Sequence, residues 1–292
     1  MAEKRIGIIG GSGLYTMKGV VNMHRERVET PFGNPSDELE IGELEGREVV
    51  FLPRHGRGHR ILPSEINYRA NIWAMKKMGV EWIISVSAVG SFKKEIKPLD
   101  IVLVDQFVDR TKRSRETTFF GDGIAAHIIF AQPVCYELSK ILYETGRKEI
   151  KYGDVHRGGT YLNMEGPAFS TKAESLLYKS WGMDVIGMTN MSEAKLAREA
   201  EICFATMAMV TDYDCWIEGE SEAVVSVDVV VENFNKNIET VKEIIRRAIP
   251  QIPKERNCAC ASALKSAMIT RPDRVPKKVL QRLDLILGKY LQ

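Results

Sequence analysis

Short apolar runs rich in β-branched residues alternate along this chain with stretches whose apolar positions recur every three or four residues. The first kind predicts strands: KRIGII at 4–9, REVVFL at 48–53, EWIISVSA at 81–88, DIVLVD at 100–105, DVIGMT at 184–189 and the run 202–211. The second kind predicts helices at 64–78, with Ser64 as cap and Gly79 as stop, and at 136–148, 171–181, 192–200 and 226–249. Strands separated by helices imply an α/β fold, a central parallel or mixed sheet flanked by helices. Nothing in the composition divides residues 1–260, so one domain is expected there, with 261–292 as a helical extension. In that extension Val279, Leu280, Leu283, Ile286, Leu287 and Leu291 fall on one stripe, which the domain or another subunit must cover.

At 292 residues and 44% hydrophobic content the chain can bury a substantial core without staples. Lys and Arg number 41 against 39 Asp and Glu, a net charge of +2. That balance carries no footprint of a nucleic-acid or membrane-surface binder and points to a small-molecule partner. The opening MAEKRIGIIGGSGLY has too short an apolar stretch for a secretory signal, and no run of about 18 apolar residues follows, so a cytoplasmic location is expected. Five cysteines, Cys135, Cys203, Cys215, Cys258 and Cys260, make an odd count for which reduced thiols are the default. A bridge within C-A-C at 258–260 would be strained. A metal site is not expected, because no second close cysteine pair completes four ligands and the histidines do not cluster nearby. A redox or disulfide role and plain buried thiols both stay open.

The run 202–211 leads into TDYDCW, where Asp212 and Asp214 stand two positions apart. On an extended strand such residues project from one face. Carboxylates that close repel, so either both remain in water or something electropositive or proton-donating stands before them. The first strand ends in Gly10-Gly11-Ser12-Gly13, a turn able to aim backbone N–H groups and a hydroxyl at an anion, although the third glycine of a dinucleotide fingerprint is missing. RHGRGHR at 54–60 follows another strand. Arg54 offers a planar fork and His55 a directional donor, a pair that suits a phosphate dianion, while Gly56 and Gly58 argue against a helical His55/His59 metal site. SAVGS at 87–91 is a third small-residue turn. Three anion-friendly strand ends beside paired acids suit a substrate attacked by phosphate while its leaving group takes a proton.

The segments IGIIGGSGLY, TPFGNPSD, RHGRGH, NYRANIWAMK, DQFVDRT, EGPAFST, GMTNMSEAKLARE and TDYDCW, in this order over roughly residues 5–255, closely resemble the 5'-methylthioadenosine phosphorylases of the trimeric purine nucleoside phosphorylase superfamily. The resemblance implies the nucleoside phosphorylase fold and cleavage of 5'-methylthioadenosine by phosphate to adenine and 5-methylthioribose 1-phosphate. Phosphate is then a co-substrate, and no metal or organic cofactor is needed. By motif position it implies a phosphate site at Ser12, Arg54, His55, Ser87 and Ala88, with Thr189 near phosphate or sugar. Ser12 stands where commoner members have threonine and keeps the hydroxyl. The purine would lie against Phe169 with Asp212 and Asp214 on its N6/N7 edge, and the ribose against Met188. An apolar 5' pocket would include Val227 and Val230 and be closed by His127 of a neighbouring subunit. The resemblance further implies a homotrimer, which the C-terminal helix would extend to a hexamer, and, from heat-adapted members, a Cys135–Cys203 bridge.

In that chemistry the departing adenine must be protonated at N7, and two acids over a dry pocket raise one pKa enough to hold the proton. Asp212 is expected at N7 and Asp214 at the 6-amino group, an acceptor pair that favours 6-amino over 6-oxo purines. The competing readings are a broad purine nucleoside phosphorylase that also takes adenosine, inosine or guanosine, and a non-catalytic nucleoside sensor on the same fold.

Overall fold

The computed structural model describes residues 4–11, 13–14, 17–112, 115–217 and 227–291, with backbone alone at 115 and 227–230. Its strands are β1 (Arg5–Gly10), β2 (Val21–Glu26), β3 (Leu39–Leu44), β4 (Arg47–Pro53), β5 (Val80–Ser91), β6 (Ile101–Leu103), β7 (Gln106–Asp109), β8 (Val155–Arg157), β9 (Thr160–Asn163), β10 (Val185–Gly187) and β11 (Cys203–Tyr213). Its helices are α1 (Tyr68–Lys77), α2 (Tyr136–Glu149), α3 (Lys172–Ser180), α4 (Asn190–Glu199), α5 (Val227–Ala248) and α6 (Lys277–Leu287). All the strands join one mixed sheet, the α/β arrangement that the alternation of runs predicts. Parallel β4, β1, β5 and β11 lie side by side at its centre. They read as continuous apolar runs because helices cover both faces. One face packs with α2 and α5, the other with α1, α4 and α6.

Strand β5 changes partner part-way along one edge. β1 pairs with it as far as Ile9 opposite Ser85, and antiparallel β10 takes over only at Gly90 and Ser91. β11 occupies the opposite edge from Trp82 to Ser91, so Val86 to Val89 face a gap between β1 and β10. Ala88 is exposed there, within a strand that is otherwise buried or nearly so. In open α/β sheets ligands collect at such openings beyond strand ends, where the chain order reverses.

Several local expectations change. Asn67, not Ser64, caps α1: its Oδ1 accepts the Ala70 N–H at 3.1 Å, and Pro63–Glu65 form a separate 3-10 turn. The stripe on α6 is covered by the chain itself, since Val279, Leu283, Ile286 and Leu287 enter the core shared with α1 and α4. All five cysteines are free, so Cys135 and Cys203 are not bridged. Cys135, Cys203, Cys258 and Cys260 nevertheless bring their sulfurs within 4.8 Å of one another. The second cysteine pair, absent from the local spacing, is supplied by the fold.

Candidate active site

The acid pair sits where β11 breaks its register. The pairing with β5 shifts between Val210 and Asp212, and such a bulge bends a strand and re-aims its side chains. Helix α5 holds the bend through two side-chain amides: Asn237 donates to the Val210 carbonyl at 3.0 Å and Asn233 to the Thr211 carbonyl at 2.7 Å. Asp212 lies opposite Gly90, while Asp214 follows the strand and donates its N–H to the Ser91 carbonyl at 3.0 Å. Both acids meet at Gly90, where a Cβ would stand 3.3 Å from Asp212 Oδ2 and 3.4 Å from the Asp214 Cβ. A side chain at this position would crowd both acids.

The two carboxyl groups are electrostatically distinct. Burial pushes Asp212 up to about 6; the Thr211 hydroxyl, 2.6 Å from Oδ1, opposes this, and the charge of Asp214 reinforces it. Burial also raises Asp214, against the pull of the neighbouring Ser175 and Ser170 hydroxyls and the Cys215 amide. Asp214 Oδ2 is buried with no hydrogen-bond partner among the described residues. An orphaned buried carboxylate oxygen is costly unless a ligand donor meets it.

Phe169 and Met188 border this end of the sheet. The Cys215 thiol donates to the Ser170 carbonyl at 3.3 Å, tying the segment that carries Phe169 to the end of β11. The Phe169 ring is 57% exposed. Met188 presses on Gly166, where a Cβ would come within 2.5 Å of its sulfur, and it helps line a small pocket with Tyr68, Thr111 and Glu165.

On the anion side, Arg54 reaches under the gap in β5. Its Nη1 donates to the Val86 carbonyl at 2.9 Å, its Nη2 to Ser85 Oγ at 2.7 Å, and the guanidinium grips both carboxylate oxygens of Glu193. Burial alone would pull the guanidinium pKa down; the Glu193 carboxylate outweighs it, and Arg54 stays charged. All but one of its N–H donors are thus used inside the protein. His55 places Nδ1 at 2.8 Å from the Ile61 carbonyl, which only accepts, so Nδ1 carries the hydrogen. Burial and then the charge of Arg54 push this imidazole down to about 4, which leaves it neutral near pH 7 with Nε2 as an acceptor. The His59 ring stacks on it at 4.3 Å rather than turning a nitrogen toward a shared ion. Ser87 is buried, and its Oγ lies 3.4 Å from the Tyr161 hydroxyl, which also meets the Thr189 backbone. Thr189 occupies the N-cap position of α4 without a side-chain cap bond, so its hydroxyl is not spent on the helix.

The fold therefore gathers Arg54, Ser87, Ala88 and Thr189 around one opening, with Asp212 two pairs beyond Ala88 on β11 and Asp214 just past the end of that strand. Ser12 lies outside the described residues, as do the side chains of Val227 and Val230. His127 is exposed on a loop joined to the extension, its N–H donating to the Ala267 carbonyl at 2.8 Å. Sequence reasoning missed Ser85, Glu193, Asn233 and Asn237. Glu193 carries a usable signal, a carboxylate in the first turn of a helix whose next turns are apolar on the same face.

Residues 5–250 match the family model described as the phosphorylase superfamily. The chain belongs to that superfamily. Within the phosphorylase superfamily it is 57% identical over 289 residues to the S-methyl-5'-thioadenosine phosphorylase of Geobacter sulfurreducens, covering 99% of this chain and 100% of the relative. It is also 57% identical to the namesake from Koribacter versatilis, covering 99% and 97% of the two chains. Among solved phosphorylase structures, a methylthioadenosine phosphorylase from an antarctic soil metagenomic library superposes with a TM-score of 0.92 at 46% identity, over 98% of this chain and 100% of that one. A mutant adenosine/methylthioadenosine phosphorylase from Schistosoma mansoni, in complex with adenine, superposes with a TM-score of 0.84 at 38% identity, over 91% and 99%.

Proposed function

We propose that this phosphorylase cleaves 5'-methylthioadenosine with inorganic phosphate, giving adenine and 5-methylthioribose 1-phosphate. The observation that carries the mechanism is the acid pair gathered at Gly90, with Asp212 raised to about 6 and Asp214 Oδ2 lacking a partner. A phosphate oxygen bonds to C1' of the sugar as the C1'–N9 bond breaks. The electron pair of that bond stays with the purine, and the proton on Asp212 passes to N7, so adenine leaves neutral. Asp214 accepts from the exocyclic amino group with the oxygen that has no donor of its own. Asp212 recovers a proton from water once adenine departs.

Phosphate is held at the gap beside Ala88. The remaining N–H of Arg54, the hydroxyls of Ser12, Ser87 and Thr189 and the positive end of the α4 dipole favour an anion there. Neutral His55 accepts a P–OH hydrogen through Nε2. The sugar lies along Met188, the base against Phe169, and the 5' group toward Val227 and Val230. His127 comes from a neighbouring copy, so the active form is a homo-oligomer, a trimer or a hexamer. No described helix is long and apolar enough to cross a membrane, which suits a cytoplasmic salvage enzyme.

The deciding measurement is release of the free purine base with and without phosphate across methylthioadenosine, adenosine, inosine and guanosine. Methylthioadenosine is expected to lead and the 6-oxo nucleosides to trail by orders of magnitude, because a buried acceptor would then face an acceptor. Equal turnover of inosine would overturn the acid-pair reading. A phosphorylase that takes adenosine as readily is the second reading, favoured by the double name of the Schistosoma relative. Phosphate-independent inertness toward all four would instead support a sensor.

A further inference from the structure

The sulfurs of Cys135, Cys203, Cys258 and Cys260 all lie within 4.8 Å of one another, and three of the four residues are buried. Cys203 and Cys258 stand 3.2 Å apart, Cys135 and Cys258 3.9 Å, and none is bonded to another. A zinc ion with four thiolates at about 2.3 Å fixes S–S edges of roughly 3.8 Å, inside the observed spread. An iron–sulfur cluster would have to fit several irons and sulfides within the cage and would drive the thiolates further apart. Sulfurs this close leave room for a single ion.

The four cysteines come from parts of the chain far apart in sequence. Cys135 directly precedes α2 and donates its N–H to the Phe204 carbonyl at 2.8 Å. Cys203 opens β11. Cys258 occupies the N-cap position of the 3-10 turn Ala259–Ser262, which leads into the C-terminal extension, and Cys260 lies within that turn. Four thiols that share one space cannot ionise together unless a cation sits among them. With all four positions taken by protein, such a site has no open coordination place for a substrate.

We propose that these four cysteines form a structural zinc site that pins the C-terminal extension to the beginning of β11. Zn2+ binds four thiolates, the four displaced protons go to solvent, and no oxidant or reductant is involved. The ion stabilises the extension, and with it the loop that carries His127, which is joined to the extension through the Ala126–Met268 bridge. The site stands independently of the phosphorolysis reading.

The test is metal analysis of wild-type protein purified anaerobically under reductant, together with cobalt(II) titration of the same protein after chelation. The expected result is one zinc per chain, one cobalt per chain with the thiolate-to-metal charge-transfer band and intense visible bands of a tetrahedral site, and a higher Tm for the metal-loaded form. Cys258→Ser should bind less than a tenth as much metal, whereas Cys215→Ser should bind as wild type does. The cobalt titration on wild type keeps the proposal testable if Cys258→Ser fails to fold. Substoichiometric zinc without a thiolate–cobalt spectrum overturns it, and so does mass analysis after alkylation that finds the four cysteines paired as disulfides in the anaerobic protein.

Discussion

Strand β11 begins among four thiols and ends in two acids. Both ends crowd groups that repel when ionised, yet the fold treats them differently. At the Cys203 end the neighbours of each sulfur are other sulfurs, and the group is complete by itself. At the Asp212 end the crowd is incomplete: among the described residues Asp214 Oδ2 has no donor, Gly90 carries no side chain between the acids, and the gap in β5 lies alongside. A crowd that is complete suits a permanently bound ion. One that is incomplete suits a proton in transit and a ligand that arrives and leaves.

The largest effect that separates the ends is on turnover. Asp212→Asn should lower kcat/KM for methylthioadenosine by about 10²–10⁴-fold, the usual worth of a positioned general acid, as measured by adenine release. Activity within tenfold of wild type would reduce the pair to a polar plug. Cys258→Ser should show the opposite pattern, with Tm falling and turnover reduced far less than by Asp212→Asn.

Next in size is the support beneath the gap. Glu193 is buried and pairs with buried Arg54. Glu193→Gln leaves the guanidinium charge uncompensated and should cost about 3–5 kcal/mol of stability, read as a lower urea midpoint. An unchanged midpoint would mean that Arg54 reaches another anion or water.

The acid end should also destabilise the fold in a pH-dependent way. Asp212 has a folded pKa of about 6, above its ordinary 3.8, so the folded state disfavours the ionised form. That cost is fully present above about pH 6 and vanishes below about pH 4. Asp212→Asn should therefore gain up to about 3 kcal/mol of stability at pH 8 and nothing near pH 3. Urea titrations at the two pH values check the sign. A variant equally stable at both would place the carboxylate in water.

Much of this was legible in the sequence, for reasons that also explain what was not. The central strands announce themselves because both faces are buried, so Ile6 to Ile9 and the run from Ile202 to Val210, interrupted only by Thr206, carry no charged residue and read as apolar. Arg54 and His55 follow the end of β4 and Asp212 lies near the end of β11, where turn chemistry marks them, whereas SAVGS at 87–91, expected as a turn, is the last part of strand β5. β2 is fully exposed and β7 and β9 are only four residues long, so none carries a periodic signal. The alternation rule placed the aspartates on one face, but the bulge between Val210 and Asp212 does the aiming, and it depends on amides from a helix that follows later in the chain. The thiol cluster was invisible for the same reason: Cys135 and Cys258 are 123 positions apart. Local spacing excludes a metal site only when all its ligands are local.

The smallest predicted effect tests how the bend at the acid end is held. Asn233 is half-buried and Asn237 is buried, and each donates to a carbonyl on one side of the bulge. Asn233→Ala frees the Thr211 carbonyl where water can replace the amide, so its stability cost should stay near 0.5–1.5 kcal/mol, about the net worth of one hydrogen bond. Asn237→Ala leaves the Val210 carbonyl with only the Leu99 N–H, which it also accepts at 2.9 Å, and empties a buried position that water does not refill, so it should cost more, about 1–3 kcal/mol. Turnover should rank the other way, because Thr211 is bonded to Asp212 and Val210 precedes the bend. If Asn237→Ala harmed kcat more than Asn233→Ala, the bulge would be set by the rigidity of the whole strand, and the acid end would depend on its distant thiol end after all.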